Sequence, residues 1–282
     1  MRLRFPLQDV SVLRVDSVRR VLDPVYSDSF WQMNQQEFAM QVEGVGRFYA
    51  RDGKEVEYHP DKGASRESIE LYLNGSVYGA ILHQRQILPL HGSCFLEQDL
   101  GIMLCGESGA GKSSLTTAFC LGGSEFLTDD VTPITFTEGL PVINVLSDRI
   151  KLWDHTLSQL GVSKAGLKRI EARTDKYYLE LDAGRGGRHP LQLVINLVVE
   201  EVSLPVFREI EGAAKVAALR NEVYRWEYLQ GMPDNEAKYF SDLVSAAKSV
   251  RVFEVIRPGD IPVRDLVKFI RDEIISKVLR KA

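Results

Sequence analysis

Up to about Pro60, short runs of β-forming residues are punctuated by turn residues. Strands are expected from Val10 to Val15 and over Phe38 to Ala50. Asp52-Gly53 separates Val45–Ala50 from Lys54–Tyr58, and an Asp-Gly pair accepts positive φ cheaply, so a tight hairpin is expected there. From Ser65 to about Gln84 the period changes. Ile69, Leu73, Val77, Ala80 and Ile81 recur at helical spacing and predict a helix packed on a core. Strand-like segments follow at Leu88–Phe95 and Leu100–Cys105, then a helix over Ser114–Leu121. Further strand pieces are expected at Phe126–Thr128, Thr132–Phe136, Pro141–Leu146 and Ser147–Trp153. Leu191–Val199 is the most apolar run and is expected to be a central strand, whereas Gly184–Pro190 before it reads as a loop. Val252–Ile256 predicts another strand. The helix after it places Val263, Val267, Ile270, Ile274 and Val278 on one face, which could serve the chain's own core or a second copy.

This order predicts an α/β fold in which helices flank a mixed sheet, with residues 1–64 a small β-rich N-terminal lobe and 65–282 the larger domain. With 282 residues there is enough chain for that pair. The formal net charge of −4 argues against tracking along nucleic acid. The cations at Lys277, Arg280 and Lys281 suit the end of a helix. Cys94, Cys105 and Cys120 are widely spaced in apolar surroundings and read as buried thiols in a reducing compartment. The first residues lack the apolar stretch of a signal peptide and no run is long enough to span a membrane, so a cytoplasmic protein is expected.

The sharpest chemical signal is Gly106-Glu107-Ser108-Gly109-Ala110-Gly111-Lys112-Ser113, which fits GxxxxGK[ST] at every fixed position. Glycines let backbone N–H groups curl around a polyphosphate, while Lys112 reaches the outer phosphates and Ser113 offers a hydroxyl to Mg²⁺. A strand before it and a helix after it complete the required context, and Ser114 continues the nucleotide-contacting stretch. Asp129 and Asp130 follow the apolar Phe126-Leu127. Alone they would read as a turn or a cap, but beside a phosphate loop one of them can hold Mg²⁺ while the other takes a proton from an acceptor hydroxyl. Adjacent strand residues face opposite ways, so this division needs a turn or bulge to re-aim one of them. His91 is either a core histidine or a group that orients a carboxylate or binds phosphate. Arg149, Lys151, Arg185 and Arg188 are candidate phosphate clamps, with Arg149 the first choice.

His91–Phe95, Gly106–Ser113 and Leu127–Val131 together resemble the catalytic domain of the HPr kinase/phosphorylase family, which shares its nucleotide site with phosphoenolpyruvate carboxykinases. The N-terminal part is more similar to small HPr-kinase-related kinases of biosynthetic clusters, among them lasso-peptide kinases. The resemblance implies a P-loop core, ATP and Mg²⁺ as cofactors, and γ-phosphate transfer to a serine of a peptide or small protein. It also implies a possible homo-oligomer. Asp129, Asp130, His91 and Lys112 are implied as catalytic residues, with Ser113 and Asp130 toward the metal. Two departures stand out. Ser114 replaces an acidic residue, and Leu219-Arg220-Asn221 is the nearest string to a substrate-engaging basic segment, so phosphorolysis does not carry over. A small-metabolite kinase and a non-catalytic ATP-dependent switch or scaffold remain alternatives. No Asn-Lys-x-Asp or Leu-Ser-Gly-Gly-Gln string is present to favour a GTPase or a transport ATPase.

Overall fold

The computed structural model describes residues 5–145, 148–170, 174–181 and 187–280. It is a mixed α/β protein with two compact units. The first comprises the described residues of Met1–Pro89, Ile170–Arg173 and Val223–Leu243; the second those of Leu90–Arg169, Thr174–Glu222 and Val244–Ala282. The expected boundary at 64/65 thus lies inside the first unit.

In the first unit a six-stranded sheet runs in the order Ser11–Arg14, Glu55–Pro60, Gly46–Arg51, Glu37–Val42, Trp31–Met33, Tyr26–Ser27. The Asp52-Gly53 hairpin forms as expected, with positive φ at both residues (52° and 65°) and Lys54 N–H donating to the Arg51 carbonyl at 3.0 Å. The stretch Phe38–Ala50 is two strands joined by a turn in which Gly44 takes φ 74°. The expected helix over 65–84 is present, capped by the Ser65 hydroxyl on Ser68 N–H. It contains a π-helical turn over Leu73–Val77 that periodicity alone does not reveal. Its apolar face meets Phe38, Phe48, Ala50 and Val56 of the sheet in one buried cluster.

The second unit is built on a sheet ordered Glu125–Thr128, Ser93–Glu97, Leu100–Gly106, Leu193–Val199, Arg251–Arg257, Val206–Ile210. Leu193–Val199 is central, parallel to both Leu100–Gly106 and Arg251–Arg257, and the other pairings are antiparallel. Leu193, Ile195 and Leu197 on one face and Val194 on the other are buried, whereas Asn196 and Val198 are half-buried. The helices Lys112–Leu121 and Val263–Ile270 pack Leu115, Phe119, Leu266 and Ile270 into one core with Leu193, Ile195 and Leu197. Ile270, Ile274 and Val278 lie in this same core, so the apolar face of the final helix serves its own unit. A three-stranded sheet places Lys176–Glu180 between Arg149–Trp153 and Lys168–Arg169.

One expectation is corrected here. Within the stretch expected to be loop, Arg188–Pro190 is a short strand paired with Leu140–Asn144, a use of proline confined to sheet edges. Arg185 lies outside the described residues. No helix among the described residues is long and apolar enough to cross a membrane.

Candidate active site

The strand Leu100–Gly106 delivers the chain into the glycine-rich loop and Lys112 opens the following helix. Gly106, Gly109 and Gly111 all have positive φ (125°, 90° and 103°). At Gly106 a Cβ would sit 2.3 Å from the Leu197 carbonyl oxygen, so the neighbouring strand enforces glycine as strictly as the backbone does.

The loop's carbonyls are held by cations. Lys112 Nζ donates to Gly106 O at 2.6 Å and to Glu107 O at 3.2 Å. Arg257, only 8% exposed at the end of its strand, donates to Ala110 O through Nε (3.0 Å) and Nη2 (2.8 Å), and through Nη1 to Pro258 O at 2.8 Å. Every acceptor of Arg257 among the described residues is a carbonyl, so its charge is not neutralised by a carboxylate; burial alone lowers its pKa. With these carbonyls turned toward cations, the N–H groups at the helix start, which have no intrahelical acceptor, are left for an anion. Glu222 accepts a hydrogen bond from Gly106 N–H, and burial raises its carboxyl pKa.

The acidic pair meets this loop. The pairing register shifts between Phe126 and Thr128, and Asp130 adopts φ 73°, a costly conformation for a non-glycine residue. These two irregularities accompany a turn that presents both carboxylates. Asp129 Oδ1 accepts from the Ser113 hydroxyl at 3.0 Å and Oδ2 from Lys151 N–H at 3.2 Å. Asp130 Oδ2 receives Lys151 Nζ at 2.7 Å, and Oδ1 lies 3.6 Å from His91 Nε2. His91 N–H in turn donates to the Glu222 carbonyl at 2.6 Å.

The two aspartates differ electrostatically. Lys151 holds Asp130 down to about 2, whereas burial and then the Asp130 charge raise Asp129 above the usual carboxylate range. Lys151 itself is pushed up, its desolvation outweighed by the Asp130 charge and hydrogen bond.

His91, Lys112, Ser113, Asp129 and Asp130 therefore share one site. Arg149 is placed differently from expectation, its guanidinium 4.5 Å above the Tyr178 ring, and Lys151 on the same strand is the cation that reaches Asp130. Arg188 donates to the Thr135 hydroxyl at 3.3 Å, and Arg220 lies on the helix Ala213–Asn221. Ser114 hydrogen-bonds Thr156 at 3.3 Å. Lys151, Arg257 and Glu222 are the site residues that the sequence expectations above do not single out. Arg257 carried a readable signal, because it ends a strand just before Pro-Gly, where α/β sheets place ligand contacts. Nothing in the local sequence marks Glu222.

A cleft of about 700 Å³ opens beside the loop, lined by Gly109, Gly111, Ser114, His155, Arg257 and Asp260 among others. Among the described residues no cluster of three or more His, Cys, Asp or Glu could hold a metal by itself. The Ser113 hydroxyl and Asp129 carboxylate are hard oxygen donors of the kind Mg²⁺ takes when phosphate and water complete its shell. Cys94 and Cys105 are buried and Cys120 half-buried, all three free, with thiols raised by burial.

No protein-family model matches the chain, and no curated protein sequence matches it. Among solved structures it is similar to the Hpr(Ser) kinase/phosphatase from Coxiella burnetii, with 14% sequence identity and a TM-score of 0.37 over 68% of this chain and 92% of that one. At this distance the likeness assigns no activity, and the functional reading rests on the site's own geometry.

Proposed function

We propose that the protein is an ATP- and Mg²⁺-dependent kinase that transfers the γ-phosphate to a hydroxyl, most simply a serine of a peptide or small protein. The observation carrying this reading is the 3.0 Å contact between Ser113 and Asp129, which joins the glycine-rich loop to the acidic pair. A loop alone would serve any nucleotide-binding machine. Coupled to two carboxylates of opposite pKa shift, it gains the parts that phosphoryl transfer needs.

In this reading the loop N–H groups and Lys112 bind the phosphates, and Arg257 fixes the loop through Ala110. Mg²⁺, held by Ser113 and Asp129, would supply charge neutralisation on the β- and γ-phosphates. That reverses the division expected from sequence, which gave the metal side to Asp130. Asp130, ionised and steadied by Lys151 and His91, orients the acceptor hydroxyl and takes its proton as the oxygen–phosphorus bond forms and the bridging bond to the β-phosphate breaks. A carboxylate with so low a pKa is a weak base, so its main contribution is orientation, which suffices for a loose transition state. The cleft beside Ser114 is assigned to the nucleoside.

Two titrations and one labelling reaction test this. ATP should bind more tightly than inorganic tripolyphosphate, and Lys112→Ala should weaken both. With γ-labelled ATP, label should pass to serine-containing peptides. Binding of neither ligand would overturn the nucleotide reading. Nucleotide binding with label released only to water would favour the switch.

A further inference from the structure

The first unit carries a groove that the nucleotide reading does not use. After the strand Ser11–Arg14, the chain crosses the outer face of the six-stranded sheet, which is turned away from the helical cluster. Arg19 fastens this strap. Its N–H and Nε donate to Glu57 at 3.1 and 2.9 Å, its Nη2 to Glu55 at 2.7 Å, and its guanidinium lies 4.8 Å above the Tyr49 ring. The Leu22 N–H on Glu37, at 2.9 Å, holds the far end.

Beside the strap is a groove of about 420 Å³ lined by Arg19, Arg20, Asp28, Phe30, Gln41 and Arg47 among others. Its charges are unequally matched. Arg19 is neutralised by Glu55 and Glu57. The Asp28 carboxylate is engaged as a turn acceptor, receiving Phe30 and Trp31 N–H at 2.7 Å each and the Tyr26 hydroxyl at 2.8 Å. Among the described residues the Arg47 guanidinium donates only to the neutral Gln41 side chain, at 3.4 Å, and the Arg20 guanidinium has no hydrogen bond or ion pair. Two arginines without carboxylate partners thus face a groove whose Phe30 is 65% exposed. Arginine forks match carboxylate geometry, and an exposed aromatic offers apolar area at little entropic cost.

We propose that this groove binds an acidic segment of a peptide or protein partner, carboxylates on Arg20 and Arg47 and an apolar side chain against Phe30. Charge complementarity selects this occupant. A nucleic acid fits poorly, because two arginines without carboxylate partners on a chain of net charge −4 make no basic track along which many phosphates could release counterions. The proposal goes beyond the kinase reading and does not depend on it.

Fluorescence anisotropy tests it with three labelled probes: a short peptide rich in Glu and Phe, the same peptide with every Glu replaced by Gln, and a single-stranded oligonucleotide. The Glu peptide should bind, more weakly as salt is added, and the Gln peptide about tenfold less tightly, as two partly exposed ion pairs imply. The double variant Arg20→Glu/Arg47→Glu should lose about tenfold for the Glu peptide while its unfolding midpoint and ATP affinity stay unchanged. Phe30→Ser should weaken both peptides alike. Equal binding of the Glu and Gln peptides, an unaffected double variant, or tighter binding of the oligonucleotide overturns the proposal. Because ATP affinity is read separately on the same samples, failure here is distinguishable from failure of the nucleotide reading.

Discussion

Replacing Lys151 with Met tests the electrostatics of the site directly, because the substitution keeps most of the side chain's length and removes its charge together with the hydrogen bond to Asp130. Lys151 Nζ lies 2.7 Å from Asp130 Oδ2 and holds that carboxyl near 2 instead of its ordinary 3.8. At ~1.4 kcal/mol per pKa unit the difference corresponds to ~2.5 kcal/mol of stability at neutral pH, the net of lowering by Lys151 first and by His91 and Lys112 against raising by burial. The Asp130 side chain is 32% exposed and the Lys151 side chain 21%, so water screens the pair and ~1–2 kcal/mol is the expected loss at neutral pH. Since the folded pKa of Asp130 lies below its unfolded value, the contribution is full above 3.8 and is withdrawn as pH falls through about 2. The variant should therefore be less stable at pH 7, and the gap should narrow as acid is added. Urea unfolding followed by Trp153 fluorescence, with Trp31 and Trp226 of the other unit replaced by Phe, reads this unit alone. Equal stability at pH 7, or a gap that does not change with pH, would refute the charge argument. In the latter case the lysine would act only through packing of its stem.

Other consequences follow from the same geometry. Arg257→Lys keeps the charge but cannot donate twice to Ala110 O while also reaching Pro258 O, so ATP and tripolyphosphate should both bind about tenfold or more weakly by calorimetry, at a cost of ~1.5–3 kcal/mol. Gly106→Ala puts a Cβ 2.3 Å from Leu197 O at φ 125°, and circular dichroism melts should show destabilisation by ~2 kcal/mol or more together with lost nucleotide binding. In the first unit, His83 is fully buried, bonded to Tyr224 O at 2.9 Å, and burial depresses its pKa from 6.5 to about 4. Stability there should be full above 6.5 and fall by up to ~3 kcal/mol as pH drops toward 4, a dependence that His83→Gln should flatten in pH-resolved unfolding.

Much of the architecture was legible because each element announced itself through a local rule. Asp52-Gly53 specified a hairpin, Leu193–Val199 a central strand, and the glycine spacing at 106–111 a loop between strand and helix. What stayed hidden depended on distant partners. The π-turn at Leu73–Val77 leaves the apolar stripe intact, and the edge strand Arg188–Pro190 is concealed by glycine and proline composition. Arg149 and Lys151 look equivalent on paper, being two residues apart on one strand; the register opposite Tyr178 and the turn that re-aims Asp130 decide which one reaches the acidic pair. Glu222 enters the site from a segment more than a hundred residues beyond the loop, and only the fold brings it to Gly106.

The division of labour between the two aspartates is the most exposed part of the kinase reading. Single-turnover transfer from γ-labelled ATP to a serine-peptide library, compared for wild type, Asp129→Asn and Asp130→Asn, tests it most directly. Asp130→Asn should bind ATP within about twofold of wild type yet transfer label about a hundredfold more slowly. Asp129→Asn should instead raise the Mg²⁺ concentration needed for half-maximal rate. Label transfer at the wild-type rate by Asp130→Asn would contradict the account.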